Sequence, residues 1–331
     1  MTQTDLPNTD SATWSDLTTL PVFSCRVRLR FRTAGQLPPF KASTVRGALG
    51  HALKGLVCEQ RGRPTCEGCP LEPACSYPWL FEGRSPRPNP WYQQSNASPP
   101  LRVQVPDEAL GQVRPGDGLD FRLTVFGDGI AYTGLLLRAI DEVGQKFGLG
   151  RDHLRGAGHF HRLQVVDEDT GEPITDGYKL PERVQARPLR ERLRRLEPTP
   201  WRRLLLTTPL QMKLGGRLWT DPGQIPPLKD WIESIQRRLY LLCWHLVPGF
   251  ALAPPAAVPP AGRLLASDLR WQELNRYSHR DEQLKPLSGM TGWILYHVDG
   301  TALDELLAAA EWLGVGRQTV MGLGEVQILD R

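Results

Sequence analysis

Twice along the chain the spacing of apolar residues switches between a period of two and a period near 3.6, in the same order, and this doubled pattern constrains the fold most. Val22 to Arg32 alternates as a strand, and Ser43 to Val57 has helical spacing with Ser43 as N-cap. Residues 101–105 and 119–127 read as strands, 130–147 as a helix and 160–166 as a closing strand. The order returns as a strand at 201–213, a helix at 228–246, strands near 263–274 and 291–298, a helix at 302–313 and a strand at 321–329. Each half fits a β-α-β-β-α-β unit in which two helices cover one face of a four-stranded antiparallel sheet. The expected class is therefore α+β, with two tandem ferredoxin-like (RRM-like) domains. The expected boundaries are a disordered tail over 1–20, a first domain over 21–178 with a Cys-rich metal-binding insertion at 58–82, an Arg-rich connection over 179–200 and a second domain over 201–331.

A length of 331 residues agrees with two domains, and 40% hydrophobic with 23% charged residues excludes wholesale disorder. No apolar run reaches membrane-spanning length, because the greasiest stretch, Leu239 to Val247, contains His245 and stops at Pro248. The N-terminus lacks the basic-then-apolar layout of a signal peptide, so the expected location is cytoplasmic, where cysteines stay reduced. The net charge of +4 hides a local excess. Only seven of the 40 cations are Lys, leaving 33 Arg, and residues 179–203 hold nine cations against three anions, a net +6 that leaves the remainder at −2. Arg is the side chain whose planar fork suits phosphate.

Three motifs carry this reading to nucleic acid. In the first strand, Cys25, Val27, Leu29 and Phe31 share one face while Arg26, Arg28, Arg30 and Arg32 share the other, with same-face neighbours roughly 6.6 Å apart, comparable to successive phosphates. Four Arg without an acid suit a nucleic-acid surface as well as a solvated one. In PLRERLRRLEPTPWRR, Leu189, Leu193 and Leu196 have helical spacing, with Arg190, Arg192, Arg194 and Arg195 around them, either a basic linker helix or an RNA-backbone track. Near the C-terminus, GVGRQTVMGLGEV sets Gly314, Gly316, Gly322 and Gly324 around Arg317. A plain turn accounts for two of these glycines, and four permit backbone N–H groups to approach phosphate.

Cys58, Cys66, Cys69 and Cys75 form C-x7-C-x2-C-x5-C, the donor set of a structural tetrahedral Zn site, with an iron–sulfur cluster as the alternative. Four thiolates leave no open position, so no catalytic metal is expected. Cys25 and Cys243 belong to apolar faces. His51 lies off the apolar stripe of its helix, and Arg46, Lys54 and the Arg strand are expected to crowd phosphates near its imidazole, which suits general acid–base work. His279, in NRYSHRD, is the second catalytic candidate; His245 and His297 sit in apolar runs.

With TVRGALGHALKGLVC, CEGCPLEPACSYPWLFE, WQELNRYSHRDEQLKPLSGMTGWILY and the glycine-rich stretch, the chain resembles the RAMP-superfamily endoribonucleases (Cas family six) that cut CRISPR precursor transcripts into guide RNAs. The resemblance implies binding of a CRISPR repeat, often a hairpin, and metal-independent cleavage in which a 2′-hydroxyl attacks the adjacent phosphate, leaving a 2′,3′-cyclic phosphate and a 5′-hydroxyl. It implies the base or acid role for His51, charge stabilisation by Lys54 and Arg46, and RNA binding by Gly316, Arg317, Gly322 and Gly324. A non-catalytic RAMP subunit that binds guide RNA beside other CRISPR effector subunits is the second reading, and a metal-dependent nucleic-acid regulator the third.

Overall fold

Strand β1, Pro21–Phe31, alternates as its residues require, with Cys25, Val27, Leu29 and Phe31 buried and Arg26, Arg28 and Arg30 exposed. It is the central strand of the first of two units in this computed structural model, which describes residues 10–63, 65–84, 87–92, 98–106, 111–150, 157–181, 183–257, 262–278 and 283–330. The first unit is Pro21–Arg187 with His245–Pro248. Each aliphatic side chain buried on β1 contributes about 1.5–3 kcal/mol, and a charge at Leu29 would disrupt this layer.

Helix α1, Lys41–Val57, begins two residues before the expected cap. Ser43 is therefore inside the first turn, where its buried hydroxyl donates to the Phe40 carbonyl at 3.4 Å, and the helix has no side-chain N-cap. Strands β2 (Leu101–Gln104) and β3 (Gly118–Phe126) follow. The single helix expected over 130–147 is three segments: a 3₁₀ turn at Gly127–Tyr132, helix α2 at Thr133–Glu142 and a wider turn at Val143–Phe147. On α2, Asp141 takes a bidentate contact of 2.7 and 2.9 Å from Arg162 of β4 (Phe160–Asp167), with both side chains fully buried. A further strand, β5 (Pro173–Asp176), extends the antiparallel sheet, whose order is β2-β3-β1-β4-β5.

The second unit comprises the chain up to Leu20, Pro188–Trp244 and the chain from Gly249. Its strands β6 (Trp201–Leu210), β7 (Arg263–Gln272), β10 (Gly289–His297) and β11 (Val326–Leu329) are ordered β7-β10-β6-β11, all antiparallel. Helix α3 (Leu228–Leu246) follows β6, and α4 (Asp304–Leu313) follows β10. A second ribbon, β8 (Asn275–Ser278) with β9 (Gln283–Pro286), is inserted between β7 and β10. Both units thus follow the chain order β-α-β-β-α-β.

Residues 10–20 are not a disordered tail. Thr13 and Asp16 form a capping box on the short helix Trp14–Leu17, Leu17 and Leu20 are buried, and the Ala12 N–H donates to the Ala253 carbonyl at 2.9 Å. Residues 1–9 lie outside the described residues. No helix among the described residues is long and apolar enough to cross a membrane.

Candidate nucleic-acid interface

The Arg face of β1 is real, but its charge is uneven. The acids that balance it come from other strands and are invisible in β1's own sequence. Arg28 Nε donates to Asp120 of β3 at 3.2 Å, and Arg28 Nη1 reaches Gln164 Oε1 of β4 at 3.5 Å. Arg26 pairs at 3.3 Å with Glu168, which also receives Arg122. Arg26, Arg28, Gln164, Asp167, Glu168 and the turn after β4 line an open cavity of about 290 Å³. Among the described residues, Arg30 and Arg32, both exposed, have no acidic partner. The surface is therefore neutralised at the Arg26 end and cationic at the Arg32 end.

At the cationic end, His161 of β4 is in register with Arg30, which places both side chains on the open sheet face. His161 Nδ1 hydrogen-bonds the Tyr178 hydroxyl, and the two rings meet edge to face at 5.8 Å. Burial and the neighbouring Arg32 charge hold the imidazole below its ordinary pKa, so it is neutral at physiological pH. Neither residue was a candidate from sequence. The alternation of β4 would have put His161 on the outer face, but its meeting with Tyr178 depends on the tertiary fold.

His51 is exposed on α1, in the helical layer, with its ring edge to face with Phe147 at 5.0 Å. The cations expected around it are mostly elsewhere. Arg46 is only 8% exposed; its Nη2 donates to the Phe81 carbonyl at 2.7 Å and its guanidinium packs 5.0 Å from the Phe81 ring. It fastens the turn at Pro78–Glu82 to the helix and does not face a phosphate. The Arg face of β1 points away from the helical layer, so it does not crowd His51 either. Lys54 remains on α1, with its ammonium 5.8 Å from the Tyr77 ring. His279 lies outside the described residues.

The Cys-rich insertion docks on α1 through aromatics. Tyr77 stacks on Phe81 at 5.8 Å, and Phe81 lies against Gly50, where an added Cβ would come within 2.8 Å of the ring. Arg84 ties the loop together, reaching Glu72 at 3.0 Å, Glu82 at 3.2 Å and Glu67 at 3.8 Å. Cys66 and Cys69 bracket a turn closed by the Cys69 N–H to the Cys66 carbonyl at 3.0 Å, with Gly68 at φ +66°. Burial above all, with Glu82, Cys75 and Cys58, pushes the Cys66 thiol up to about 11 against the opposing pull of Lys54. All four cysteines are partly buried, yet among the described residues no group of three or more His, Cys, Asp or Glu side chains is gathered as a metal-holding set. Cys25 and Cys243 are core residues, as expected.

The four C-terminal glycines have a backbone reason. Gly314, Gly316, Gly322 and Gly324 all take positive φ. A Cβ on Gly316 would lie 2.2 Å from the Gln211 carbonyl oxygen, and one on Gly324 would lie 1.9 Å from that of Val315. Many of the loop's N–H groups serve its own closure, including Val315 to Gly324 at 2.8 Å, Arg317 to Gln211 at 2.7 Å and Gly324 to Pro209 at 3.0 Å. Gly314, Gly322 and Gly324 are buried and shape the loop, where the sequence led us to expect backbone open to phosphate. Turn geometry accounts for all four glycines, not two. What the loop offers outward is Arg317, exposed beside Gln318, whose φ of +56° is the positive value among non-glycine described residues.

The Arg-rich connection forms only one helical turn, Leu189–Arg192, before continuing extended toward Pro198 and Pro200. Arg192 is buried with its guanidinium 5.1 Å from the Trp312 ring, and Arg194 pairs with Glu311 at 3.1 Å and Asp330 at 3.3 Å. Farther along, Arg202 is fully buried against Asp304, with contacts of 2.7–2.9 Å. Arg192 and Arg202 are buried structural cations and the exposed Arg194 is ion-paired, which leaves Arg190 and Arg195 as the exposed members of the predicted RNA track with no acidic partner among the described residues.

Residues 20–189 match the model of the AF_1859_N family, an N-terminal domain, and residues 204–326 match that of the CRISPR-associated endoribonuclease Cas6. Among solved structures, the product complex of Cas6 (TTHB231) of Thermus thermophilus superposes with a TM-score of 0.50 at 18% identity, over 93% of this chain and 99% of that one. A chain of a partial Cas6-RT-Cas1–Cas2 complex superposes with a TM-score of 0.55 at 14% identity, over 94% of this chain and 46% of that one. These likenesses establish an α+β fold with antiparallel sheets. No curated protein sequence matches the chain. The AF_1859_N match spans just over half of the chain, so the chain belongs to that family, and its second half carries a match to the Cas6 endoribonuclease model.

Proposed function

We propose that this chain binds CRISPR repeat RNA, presented as a hairpin, and cleaves the precursor transcript by metal-independent phosphodiester transfer. The family match over residues 204–326 carries the reading. The strand order of both units supports tandem ferredoxin-like domains. In this chemistry a base removes the proton of the 2′-hydroxyl, O2′ bonds to phosphorus, the bond to O5′ breaks, and a proton reaches O5′. The products are a 2′,3′-cyclic phosphate and a 5′-hydroxyl. His51 is our candidate for the proton transfer, exposed on α1 one turn before Lys54, whose charge would stabilise the phosphorane. Exposed Arg30, Arg32, Arg190, Arg195 and Arg317 would bind phosphates. Association with other CRISPR proteins is supported by the multi-protein assembly in which one structural neighbour was solved.

We further propose that Cys58, Cys66, Cys69 and Cys75 hold a structural Zn²⁺. The soft donor set and the C-x2-C turn closed by the Cys69 N–H support it; the thiols would draw together on binding. The ion would brace the loop against α1 and take no part in the chemical step. Purified protein should carry about one Zn per chain by elemental analysis, and a cluster would instead bring iron and visible absorbance. The activity reading is tested by incubating the protein with its cognate repeat in EDTA. Cleavage blocked by a 2′-deoxy substitution at the cut site, and slowed roughly 10²–10⁴-fold by His51→Ala, would support it. Tight binding with no product would favour the non-catalytic reading.

A further inference from the structure

We propose that Arg30, Arg32, His161 and Tyr178 form a nucleotide subsite for single-stranded RNA on the open sheet face of the first unit. The inference rests on the RNA-binding reading above and deepens it by naming where an unpaired nucleotide sits. Three observations meet at this one end of the sheet. Of the four cations on the outer face of β1 and the residue after it, Arg26 and Arg28 are neutralised by Glu168 and Asp120, whereas Arg30 and Arg32 have no acidic partner among the described residues. Alternate residues on a strand lie roughly 6.6 Å apart, so the two guanidiniums can hold successive phosphates or flank one. Directly across from Arg30 stands His161, and the Tyr178 ring that meets it is 41% exposed, unusual for an aromatic side chain that is tied down by its hydroxyl.

The chemistry of these groups selects the occupant. An exposed, oriented aromatic ring beside unpaired guanidiniums is the arrangement that stacks a base while its phosphate is neutralised. The His161–Tyr178 hydrogen bond fixes the ring plane before the ligand arrives, which lowers the ordering cost of binding. A neutral imidazole, with Nδ1 engaged by Tyr178, leaves Nε2 for a polar edge of the base or for a ribose hydroxyl without adding charge. Double-stranded RNA presents its bases stacked inside and offers nothing to the ring, so the subsite suits the single-stranded part of a repeat. The Arg26 end, where Glu168 and Asp120 offset the guanidiniums, offers a phosphate chain no comparable excess of positive charge, so the cationic track is confined to the Arg30–Arg32 end.

The test uses full-length protein and an uncleavable repeat RNA carrying 2′-deoxy at the cut site, read by fluorescence anisotropy across a salt series. Tyr178→Ala should weaken binding roughly 5- to 150-fold, the range for loss of one stacked base, and Tyr178→Phe, which keeps the ring, should restore most of it. Arg30→Gln and Arg32→Gln should each reduce the slope of log K against log salt by about 0.7. Photocrosslinking to short oligouridine should mark Tyr178. If the wild type binds the repeat and all four variants match it, the subsite is wrong while the RNA reading stands; if the wild type binds no repeat RNA, both fall. Flattened salt slopes with an unchanged Tyr178→Ala affinity would overturn the nucleotide site in favour of a plain cationic patch. Polyglutamate binding lost in Tyr178→Ala to the same degree as RNA binding would assign the surface to an acidic protein and overturn it too.

Discussion

Replacing Gly324 with Ala tests whether the C-terminal glycines serve the backbone or the ligand. At φ +66° an L-residue costs about 1–2 kcal/mol. The added Cβ would also lie 1.9 Å from the Val315 carbonyl oxygen, a backbone atom that cannot rotate aside because Val315 N–H donates to the Gly324 carbonyl at 2.8 Å and Gly324 N–H to Pro209 at 3.0 Å. Relieving that collision adds about 1–3 kcal/mol, for a total of about 2–5 kcal/mol. At roughly 3 °C per kcal/mol for a unit of this size, Tm should fall by about 6–15 °C. Gly216 is the control: its φ is +83°, but a Cβ there meets nothing within 4 Å, so Gly216→Ala should cost only the conformational part, about 3–6 °C. Arg317→Ala should leave Tm unchanged and weaken RNA binding. Melting curves by circular dichroism, paired with repeat-RNA anisotropy below the transition, separate these outcomes. A Gly324→Ala protein that melts with the wild type and loses RNA affinity would refute the argument, since the glycine would then be a contact.

Three other outcomes follow from named contacts. Asp304→Ala leaves the fully buried Arg202 guanidinium without its carboxylate and should destabilise the second unit by about 3–5 kcal/mol, read in chemical denaturation. Burial raises the pKa of Asp330, but the Glu197 N–H and Arg194 outweigh it and hold the carboxyl below its ordinary value. The fold thus prefers the ionised form: this stabilisation is complete above the ordinary pKa of 3.8 and lost as pH falls through the lowered value, so Asp330→Asn should flatten the acid limb of the Tm profile. Asp120→Asn releases Arg28 and should steepen the salt dependence of RNA binding by about 0.7 in slope, whereas a flatter slope would mean that Arg28 does not face the RNA.

The doubled strand–helix order was legible because period-two and period-3.6 patterns are local properties; α3 falls on 228–246 as read, and β1, β3, β4 and β10 shift by one or two residues at their ends. What escaped was cross-chain pairing. The Arg face of β1 reads as all-cationic until β3 and the turn after β4 supply Asp120 and Glu168. Arg46, next to Val45 in a helical stripe, reads as a surface cation until the Phe81 carbonyl and ring come over it. The Arg excess likewise reads as phosphate-binding, although Arg102, Arg162, Arg192 and Arg202 are buried. Propensity was overridden in the connection, where Leu189 and Leu196 are buried on a chain that stays helical for a single turn. The His161–Tyr178 meeting joins residues from separate segments of one unit, and no spacing rule announces it.

The central claim, that this chain, with its match to the Cas6 endoribonuclease model over residues 204–326, cuts repeat RNA through its own side chains, is tested most directly by mapping product ends. Purified protein and its cognate repeat are incubated with EDTA, and the fragments are sequenced and treated with phosphatase and kinase. The account predicts one cut within the repeat, a 2′,3′-cyclic phosphate upstream and a 5′-hydroxyl downstream. Cleavage that requires an added divalent ion and leaves a 5′-phosphate would contradict it.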